Sequence, residues 1–164
     1  MRLIVFIFII SSCFSPFLSA KDLTTRLGVG YNAQILTGTS AISAKYAFSS
    51  DYAVSGFLGF QAGGDDNDST FIGGAKFYRN AYQEENANFY IGGGVGLSSQ
   101  ETSPSETDTG FDLMGFLGSE FFFMGLPNLG FTFESGVTLT SRGSGVSFQT
   151  TSGSFVTTGI HYYF

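Results

Sequence analysis

The stretch Phe155–Phe164, FVTTGIHYYF, decides the fold, because its residues alternate between two kinds of side chain. One set, counted back from the last residue, is mostly apolar and comprises Phe164, Tyr162, Ile160, Thr158 and Val156. The other set is more polar, holds the chain's one histidine, and comprises Phe155, Thr157, Gly159, His161 and Tyr163. Alternation with a period of two predicts a β-strand whose two faces meet different environments.

The first 20 residues have the composition of a secretory signal peptide. Arg2 precedes the apolar run Leu3–Ile10, and a site of small residues ends at Ala20. This order predicts cleavage after Ala20, which leaves a mature chain of residues 21–164. The apolar run is shorter than the roughly 20 residues that a membrane-spanning helix needs. A second interpretation stays open, in which Ile10–Cys13 is a lipoprotein site and Cys13 is lipidated.

The mature chain is acidic and contains no cysteine. Removing residues 1–20 takes away Arg2 and Cys13, so seven basic residues become six against thirteen acidic ones, a net charge of −7. This charge disfavours nucleic acid as a partner. No later apolar run approaches 18 residues, so no spanning helix is expected. If the chain enters a membrane, it must do so as a closed β-barrel, because only helices and closed barrels satisfy their backbone in lipid.

Seven further segments show the same alternation, and all eight are bounded by polar or Gly-rich loops and turns. They predict an all-β protein with eight antiparallel strands in up-and-down order. The predicted strands are 26–36, 41–48, 52–62, 70–78, 89–98, 111–124, 129–140 and 155–164. The longer connections are expected at 63–69, 80–88, 99–109 and 141–153.

The two faces of these strands differ in a way that suggests which solvent each one meets. Bulky apolar residues such as Leu58, Phe60, Val95 and Leu139 lie on one face, while glycine and isolated charges lie on the other. A water-soluble barrel would need rows of Lys and Glu on its polar face, and these are missing from the sequence. The pattern therefore predicts hydrocarbon outside and a narrow, filled lumen inside, as in the smallest transmembrane barrels.

Parity of the strand positions also selects a set of charges that point into the lumen. Most of them are expected near the end of the barrel where both chain termini lie, with Glu120 and Glu134 facing each other. Two facing carboxylates require intervening cations, which the lysines and the arginine can supply. The expected network forms a salt-bridge plug; a proton-linked or gated pathway through the same layer is the alternative. Its members are Arg26, Lys45, Lys76, Asp112, Glu120, Glu134 and His161.

The C-terminal HYYF, with Ile160, Tyr162 and Phe164 on one face, resembles the assembly signal of bacterial outer-membrane barrels. With the signal peptide, the eight segments and the GSEFFF and NLGFTFE pair around Pro127, the mature chain resembles the small OmpA- and OmpW-like barrels of Gram-negative bacteria. The resemblance implies a monomer in the cell outer membrane, in contact with lipid and lipopolysaccharide. It also implies recognition by the barrel assembly machinery, and it implies no cofactor.

No sequence motif indicates catalysis or a metal site. Asp65-Asp66-Asn67-Asp68 lacks the spacing and final Glu of a calcium loop, so we expect a solvated acidic loop. Parity points His161 inward, and no serine lies two residues from it, so we expect no hydrolase. The expected function is that of an integral barrel with a structural or surface-interaction role. Two alternatives remain: a narrow conduit for small or hydrophobic solutes, and a soluble periplasmic ligand-binding barrel.

Overall fold

The computed structural model describes residues 21–34, 39–62, 69–103, 106–143, 145–150 and 156–164, with no side-chain description for 101–103, 106 and 107. The predicted signal peptide, Cys13, Phe155 and the acidic residues Asp65, Asp66 and Asp68 lie outside this part. All elements of regular structure within it are strands. The described residues include no helix, and hence none that could span a membrane.

Nine strands make up one antiparallel sheet. Their bounds are β1 Leu27–Ala33, β2 Ser40–Ala47, β3 Tyr52–Gln61, β4 Thr70–Glu84, β5 Ala87–Ser103, β6 Glu106–Phe122, β7 Leu129–Arg142, β8 Gly145–Thr150 and β9 Thr157–Tyr163.

Eight of these strands close into a barrel. Each of β1 to β7 pairs with the next in sequence, β7 pairs with β9, and β9 pairs with β1 through Gly28–Asn32 and Gly159–Tyr163. The closed eight-stranded antiparallel barrel predicted from the sequence is therefore confirmed. The ninth strand, β8, pairs with β7 alone among the described strands.

In three of the expected connections, most of the described residues belong to strands. β4 and β5 extend through 80–88 with a turn at Glu85 and Asn86, and β5 and β6 extend to Ser103 and Glu106. The expected loop 141–153 contains the end of β7 and all of β8. These segments are rich in Ser, Thr, Asn and Glu, so they lack the apolar alternation by which strands are recognised. Backbone pairing to a long neighbour is sufficient to extend them.

The strands are staggered around the ring. The stagger is measured by following paired positions once around the ring, with some ladders extended by up to three residues. A circuit that starts at Thr24 passes through positions 49, 51, 80, 90, 118, 134 and 157 and returns at Gln34, ten residues further along the first strand. At about 3.3 Å per residue and about 4.8 Å between strands, this stagger corresponds to a strand tilt of about 40°.

The division of residues between the two faces of the sheet agrees with the prediction. Leu58 and Val95 are 63% and 45% exposed on the outside of the barrel, whereas Lys76 is 2% exposed inside it. The lumen is filled by large aromatic side chains and by the polar residues between them. Its largest aromatic members are Phe57, Tyr78, Tyr90, Phe116, Phe122 and Tyr163.

Candidate functional site

Two buried ion pairs cross the lumen. Lys45 Nζ of β2 lies 2.8 Å from Glu120 Oε2 of β6, and Lys76 Nζ of β4 lies 2.7 Å from Glu134 Oε2 of β7. Lys45 and Glu120 belong to opposite sides of the eight-stranded ring, so their contact ties one wall to the other. All four side chains are almost fully buried. We call these four residues the charged layer.

Two tyrosines satisfy the second oxygen of each carboxylate. The Tyr163 hydroxyl donates to Glu120 Oε1 at 2.6 Å, and the Tyr90 hydroxyl donates to Glu134 Oε1 at 3.1 Å. Each glutamate therefore accepts one bond from a lysine and one from a tyrosine. A buried charge is tolerated when its remaining lone pairs are filled in this way.

The two ammonium groups of the charged layer lie against aromatic rings. Lys45 Nζ is 4.7 Å from the centre of the Tyr78 ring and 4.9 Å from that of Tyr90. Lys76 Nζ is 5.1 Å from the centre of the Phe116 ring. Cation–π attraction of this kind strengthens when water is excluded. The rings also occupy the lumen space between the ion pairs.

Glycine on the inward face makes room for these side chains. A Cβ on Gly28 would lie 2.6 Å from the Tyr163 ring, and one on Gly118 would lie 2.8 Å from the Tyr90 ring. A Cβ on Gly130 would lie 2.7 Å from Glu120 Oε1. At these three lumen-facing positions, glycine leaves the space that the side chains of the charged layer and its tyrosines occupy.

His161 is at the edge of the charged layer. Its Nε2 is 2.7 Å from the hydroxyl of Ser43 on β2, which lies on the other side of the β1–β9 seam from His161. Its Nδ1 has no hydrogen-bond partner among the described residues. The contact ties β9 to β2 across β1. Among the described residues no carboxylate bonds to His161 Nδ1, so the Ser43–His161 pair lacks the third member of a hydrolase triad.

The predicted positions of three charged residues need correction. Glu134 pairs across the ladder with Gly118, and Glu120 pairs with Thr132, so the two carboxylates do not face each other and each has its own lysine. Arg26 lies half-buried at the rim of the barrel, where Nη2 donates to Asn128 Oδ1 at 3.1 Å. Strand stagger, which the sequence does not reveal, determines these positions.

Asp112 is buried in the lumen but separate from the charged layer. Its Oδ1 accepts a bond of 2.6 Å from the Thr140 hydroxyl, and its Oδ2 has no partner among the described residues. The described residues contain two ion pairs with N···O of 4.0 Å or less, and Asp112 belongs to neither. It lies toward the end of the barrel that holds the β7–β8 hairpin.

The tyrosines are the members of the site that charge-based sequence reasoning missed. Tyr78, Tyr90 and Tyr163 occupy inward positions of their strands, and the same parity that selected the charges would have selected them. An aromatic residue on an otherwise glycine-rich face could have indicated a side chain that fills the lumen, because the other residues of such a face are small. The partner of each hydroxyl still depended on the stagger.

Replacing a single carboxylate with an amide should destabilise the barrel where the carboxylate has a counter-ion and should not do so where it has none. Glu120→Gln leaves the Lys45 ammonium without its counter-ion, so we expect the free energy of unfolding to fall by about 3 kcal/mol. Asp112→Asn keeps an oxygen that accepts the bond from Thr140, and it removes a carboxylate that has no counter-ion. The free energy of unfolding should therefore not fall. Urea unfolding of both variants in detergent measures the difference. Equal losses would contradict the separation of Asp112 from the charged layer.

The charged layer occupies the lumen with two buried ion pairs, of which Lys45–Glu120 joins opposite sides of the ring. Among the described residues, no group of three or more His, Cys, Asp or Glu side chains is arranged to hold a metal ion. Comparisons with models of known protein families, with curated proteins and with solved structures find no significant match. Inference about function therefore depends on the fold and on these contacts.

Proposed function

We propose that the chain is an integral outer-membrane β-barrel of Gram-negative bacteria, related in kind to the small OmpA- and OmpW-like barrels. Its lumen is closed by the charged layer, and its role is structural or one of surface interaction. It acts as a monomer without a cofactor, and it is not an enzyme. The supporting observation is the outward face of the closed sheet, which is apolar on every side of the ring.

The outward face is far larger than the apolar patches of soluble proteins. Exposed large apolar side chains occur on all nine strands, whereas contiguous patches on soluble monomers rarely exceed a few hundred Å². Among the outward-facing strand residues whose side chains are described, the charged ones are Arg79 and Glu84, both in the last six residues of β4. Hydrocarbon is the solvent that such a surface requires.

The height of the apolar belt fits a bilayer. Phe111 is exposed on the outside of β6, and Phe121, half-exposed on the same face beside Phe89, is ten residues away. At about 3.3 Å per residue and a tilt of about 40°, their levels differ by about 25 Å, the height of the lipid-facing band of outer-membrane barrels.

Aromatic side chains are concentrated at one end of the belt, where the turns at 48–51 and 123–128 lie. We call this the inner end. Neighbouring rings there include Phe48 with Tyr52, and Phe123 with Phe131. Others are Tyr82 with Phe89, Phe121 with Phe133, and Tyr162 with Phe164. This arrangement supports an interfacial girdle, since aromatic rings are enriched where a barrel meets the headgroups.

The last strand supports recognition by the barrel assembly machinery. Tyr162 and Phe164 face outward and are exposed, and Ile160 is half-exposed on the same face. A partner that packs against β9 from the lipid side would contact these three side chains. We assign them as the assembly signal, with outer-membrane lipid and lipopolysaccharide as the surroundings of the finished barrel.

Two other functions are weaker. A conduit for solutes must pass the charged layer, where ion pairs of 2.7 and 2.8 Å and the rings of Tyr78, Tyr90 and Phe116 occupy the lumen. A soluble ligand-binding barrel would keep bulky aliphatic residues off its outer surface, whereas here such residues, Leu58, Leu97 and Leu117 among them, are exposed on the outside of the ring. Both arguments favour the closed integral barrel.

Three measurements on one preparation test the proposal. We expect the chain to fractionate with outer membranes, to migrate faster on gels when unheated than when boiled, and to give no conductance steps in planar bilayers. Regular single-channel steps would replace the closed barrel with a conduit. Recovery from the periplasm without detergent would overturn membrane location altogether.

A further inference from the structure

The outside of the barrel has an apolar hollow at its inner end. Phe121, Phe123, Phe131 and Phe133 line this hollow, and residues 84–86 of the β4–β5 turn lie at its edge. Its volume is about 690 Å³. Phe123 and Phe133 are 58% and 43% exposed, so their rings are open to whatever surrounds the barrel. We call the four rings and the turn together the inner hollow.

The rings of the inner hollow pair across β6 and β7. The centres of the Phe121 and Phe133 rings are 6.0 Å apart, and those of Phe123 and Phe131 are 5.2 Å apart, both in edge-to-face geometry. Aromatic pairs favour this geometry, so the four rings form an apolar floor. Their uncovered faces can contact an acyl chain or a cation.

Backbone hydrogen bonds hold the β4–β5 turn beside the rings. The Phe122 N–H donates to the Asn86 carbonyl at 2.8 Å, which ties the turn to the end of β6. From the other side, the Lys21 N–H donates to the Glu84 carbonyl at 3.1 Å. The turn that carries Glu84 and Glu85 therefore has a fixed place at the edge of the inner hollow.

The two carboxylates of the turn have no counter-ion among the described residues. Glu84 and Glu85 are both exposed, and neither belongs to the two described ion pairs. The ammonium group of Lys21 lies over the ring of Phe122, which is buried in the lumen, with Nζ 5.3 Å from the ring centre. Two neighbouring negative charges beside open aromatic rings favour a cation as the occupant, because carboxylates and ring faces both attract one.

The turn lies at the level of the lipid headgroups. Glu84 of β4 is opposite Ala87 of β5, and Ala87 is opposite Phe121 of β6, whose ring marks the inner edge of the apolar belt. Each step from β6 toward β4 moves about 3 Å toward the inner end, because the strands are tilted by about 40°. Glu84 is therefore about 6 Å beyond the belt. The headgroup layer is roughly 5–8 Å thick, so the carboxylates lie within it.

We propose that the inner hollow binds a phospholipid whose headgroup carries an ammonium group. The ammonium group lies beside the Glu84 and Glu85 carboxylates, and the first part of an acyl chain lies against the phenylalanine rings. This inference depends on the proposed membrane location, and it names one class of lipid that the outer surface of the barrel selects.

Charge and level together favour this lipid over other occupants. An anionic phospholipid in the same place would bring its negative headgroup next to two carboxylates, which repel it. A basic peptide could pair with the carboxylates, but rings at the edge of the hydrocarbon offer no partners to its backbone N–H and C=O groups. A lipid with an ammonium group fits both parts, because its charged group and its hydrocarbon occupy the two adjacent levels.

Native mass spectrometry of the full mature chain in detergent measures the preference, since it identifies bound lipids by their mass. Dioleoyl phosphatidylethanolamine and dioleoyl phosphatidylglycerol have the same acyl chains and a phosphate each, and they differ in whether the headgroup carries an ammonium group. We expect the first to bind at least about fivefold more tightly than the second. Glycerophosphoethanolamine, which has the same headgroup and no acyl chains, should show no binding at the concentration of lipid that fills the hollow.

Variants of the inner hollow assign the preference to its two parts. Glu84→Gln combined with Glu85→Gln keeps the size of both side chains and removes both charges, so the preference should fall below about twofold. Asp51→Asn removes a charge from another exposed turn at the inner end, so the preference should stay. Phe123→Leu keeps an apolar side chain and removes a ring, so phosphatidylethanolamine should bind about two- to fivefold more weakly and phosphatidylglycerol as before. Heat-modifiable migration verifies that each variant is folded.

The outcomes for this inference differ from those for the membrane proposal. Equal affinity for the two lipids, or an equal loss of preference from Asp51→Asn and from the double glutamine variant, would overturn the lipid site. Glycerophosphoethanolamine binding as tightly as the lipid, or tetralysine binding in place of the lipid, would also overturn it, in favour of a soluble amine or a basic peptide. A chain that fractionates with outer membranes and shows no lipid preference refutes only this inference. A chain recovered from the periplasm without detergent refutes the proposed function first.

Discussion

Replacing Lys76 with alanine should destabilise the barrel by about 3–5 kcal/mol, because the Glu134 carboxylate remains buried without its cation. The ion pair is 2.7 Å long and both side chains are almost completely shielded from water. The Tyr90 hydroxyl still donates to Glu134, but a neutral donor does not replace the charge. Urea unfolding in detergent and the temperature at which the fast gel band disappears both measure the loss.

Two controls make this prediction specific. Arg79→Ala removes a cation from an exposed position of the same strand, so its effect should stay within about 0.5 kcal/mol. In the double variant Lys76→Ala with Glu134→Ala, the orphaned charge is gone, so the double variant should be more stable than the sum of the two single losses predicts. An unchanged midpoint in both single variants would remove the charged layer as a structural plug.

Placing a charge on the outward face should have the second large effect. Leu117 is exposed on the outside of β6, midway between Phe111 and Phe123. Leu117→Arg puts a guanidinium near the centre of the bilayer, which costs about 2–4 kcal/mol at that depth. We expect less folded barrel in the outer-membrane fraction and a lower free energy of unfolding in lipid vesicles.

The same substitution has the opposite consequence for a water-soluble barrel. There, arginine would replace an exposed leucine, and solubility would improve with little change in stability. Met124→Arg is the depth control, since Met124 is 91% exposed at the inner turn. It should be tolerated in a membrane protein, because the cost falls to about 0–1 kcal/mol near the interface. Full tolerance of Leu117→Arg would argue against a lipid-facing surface.

Sequence alternation was sufficient to assign the two faces of the sheet. Leu58, Val95 and Leu139 lie outside and Lys45, Lys76 and Glu134 inside, as their parity predicts. Period two is a local property of the strand, and it needs no knowledge of neighbouring strands. For the same reason the eight-stranded ring followed from eight alternating segments and the rule that a spanning sheet must close.

Contacts across the lumen could not be predicted from the sequence alone. Glu120 and Glu134 are similarly distant from the turn that joins their strands, which suggested that they face each other. The ladder places Glu120 opposite Thr132, and the stagger brings Lys45 to one glutamate and Lys76 to the other. A register error of two residues keeps the face and changes every partner, so parity does not detect it.

The strand β8 was missed for a different reason. Val146 and Phe148 do alternate with Ser147 and Gln149, but the alternation covers only four residues and is flanked by stretches rich in Ser, Thr and Gly, so the sequence predicts a loop at 141–153. The pairing of these residues in order with β7 shows that they form a strand. The signal that remained was the turn at 143–144 between two segments of hydroxyl and apolar residues.

The central claim is that the outside of the barrel meets hydrocarbon. Quenching of a protein-attached fluorophore by brominated lipids tests this claim most directly. The predicted mature chain contains no cysteine, so single cysteines at Leu58, Val95 and Leu139 can carry an environment-sensitive fluorophore, with Ser50 at an inner turn as the reference. In vesicles of lipids brominated near the middle of the acyl chain, the account predicts strong quenching at the three outward positions and little at Ser50. Equal, weak quenching at all four positions in a chain that is folded would contradict it.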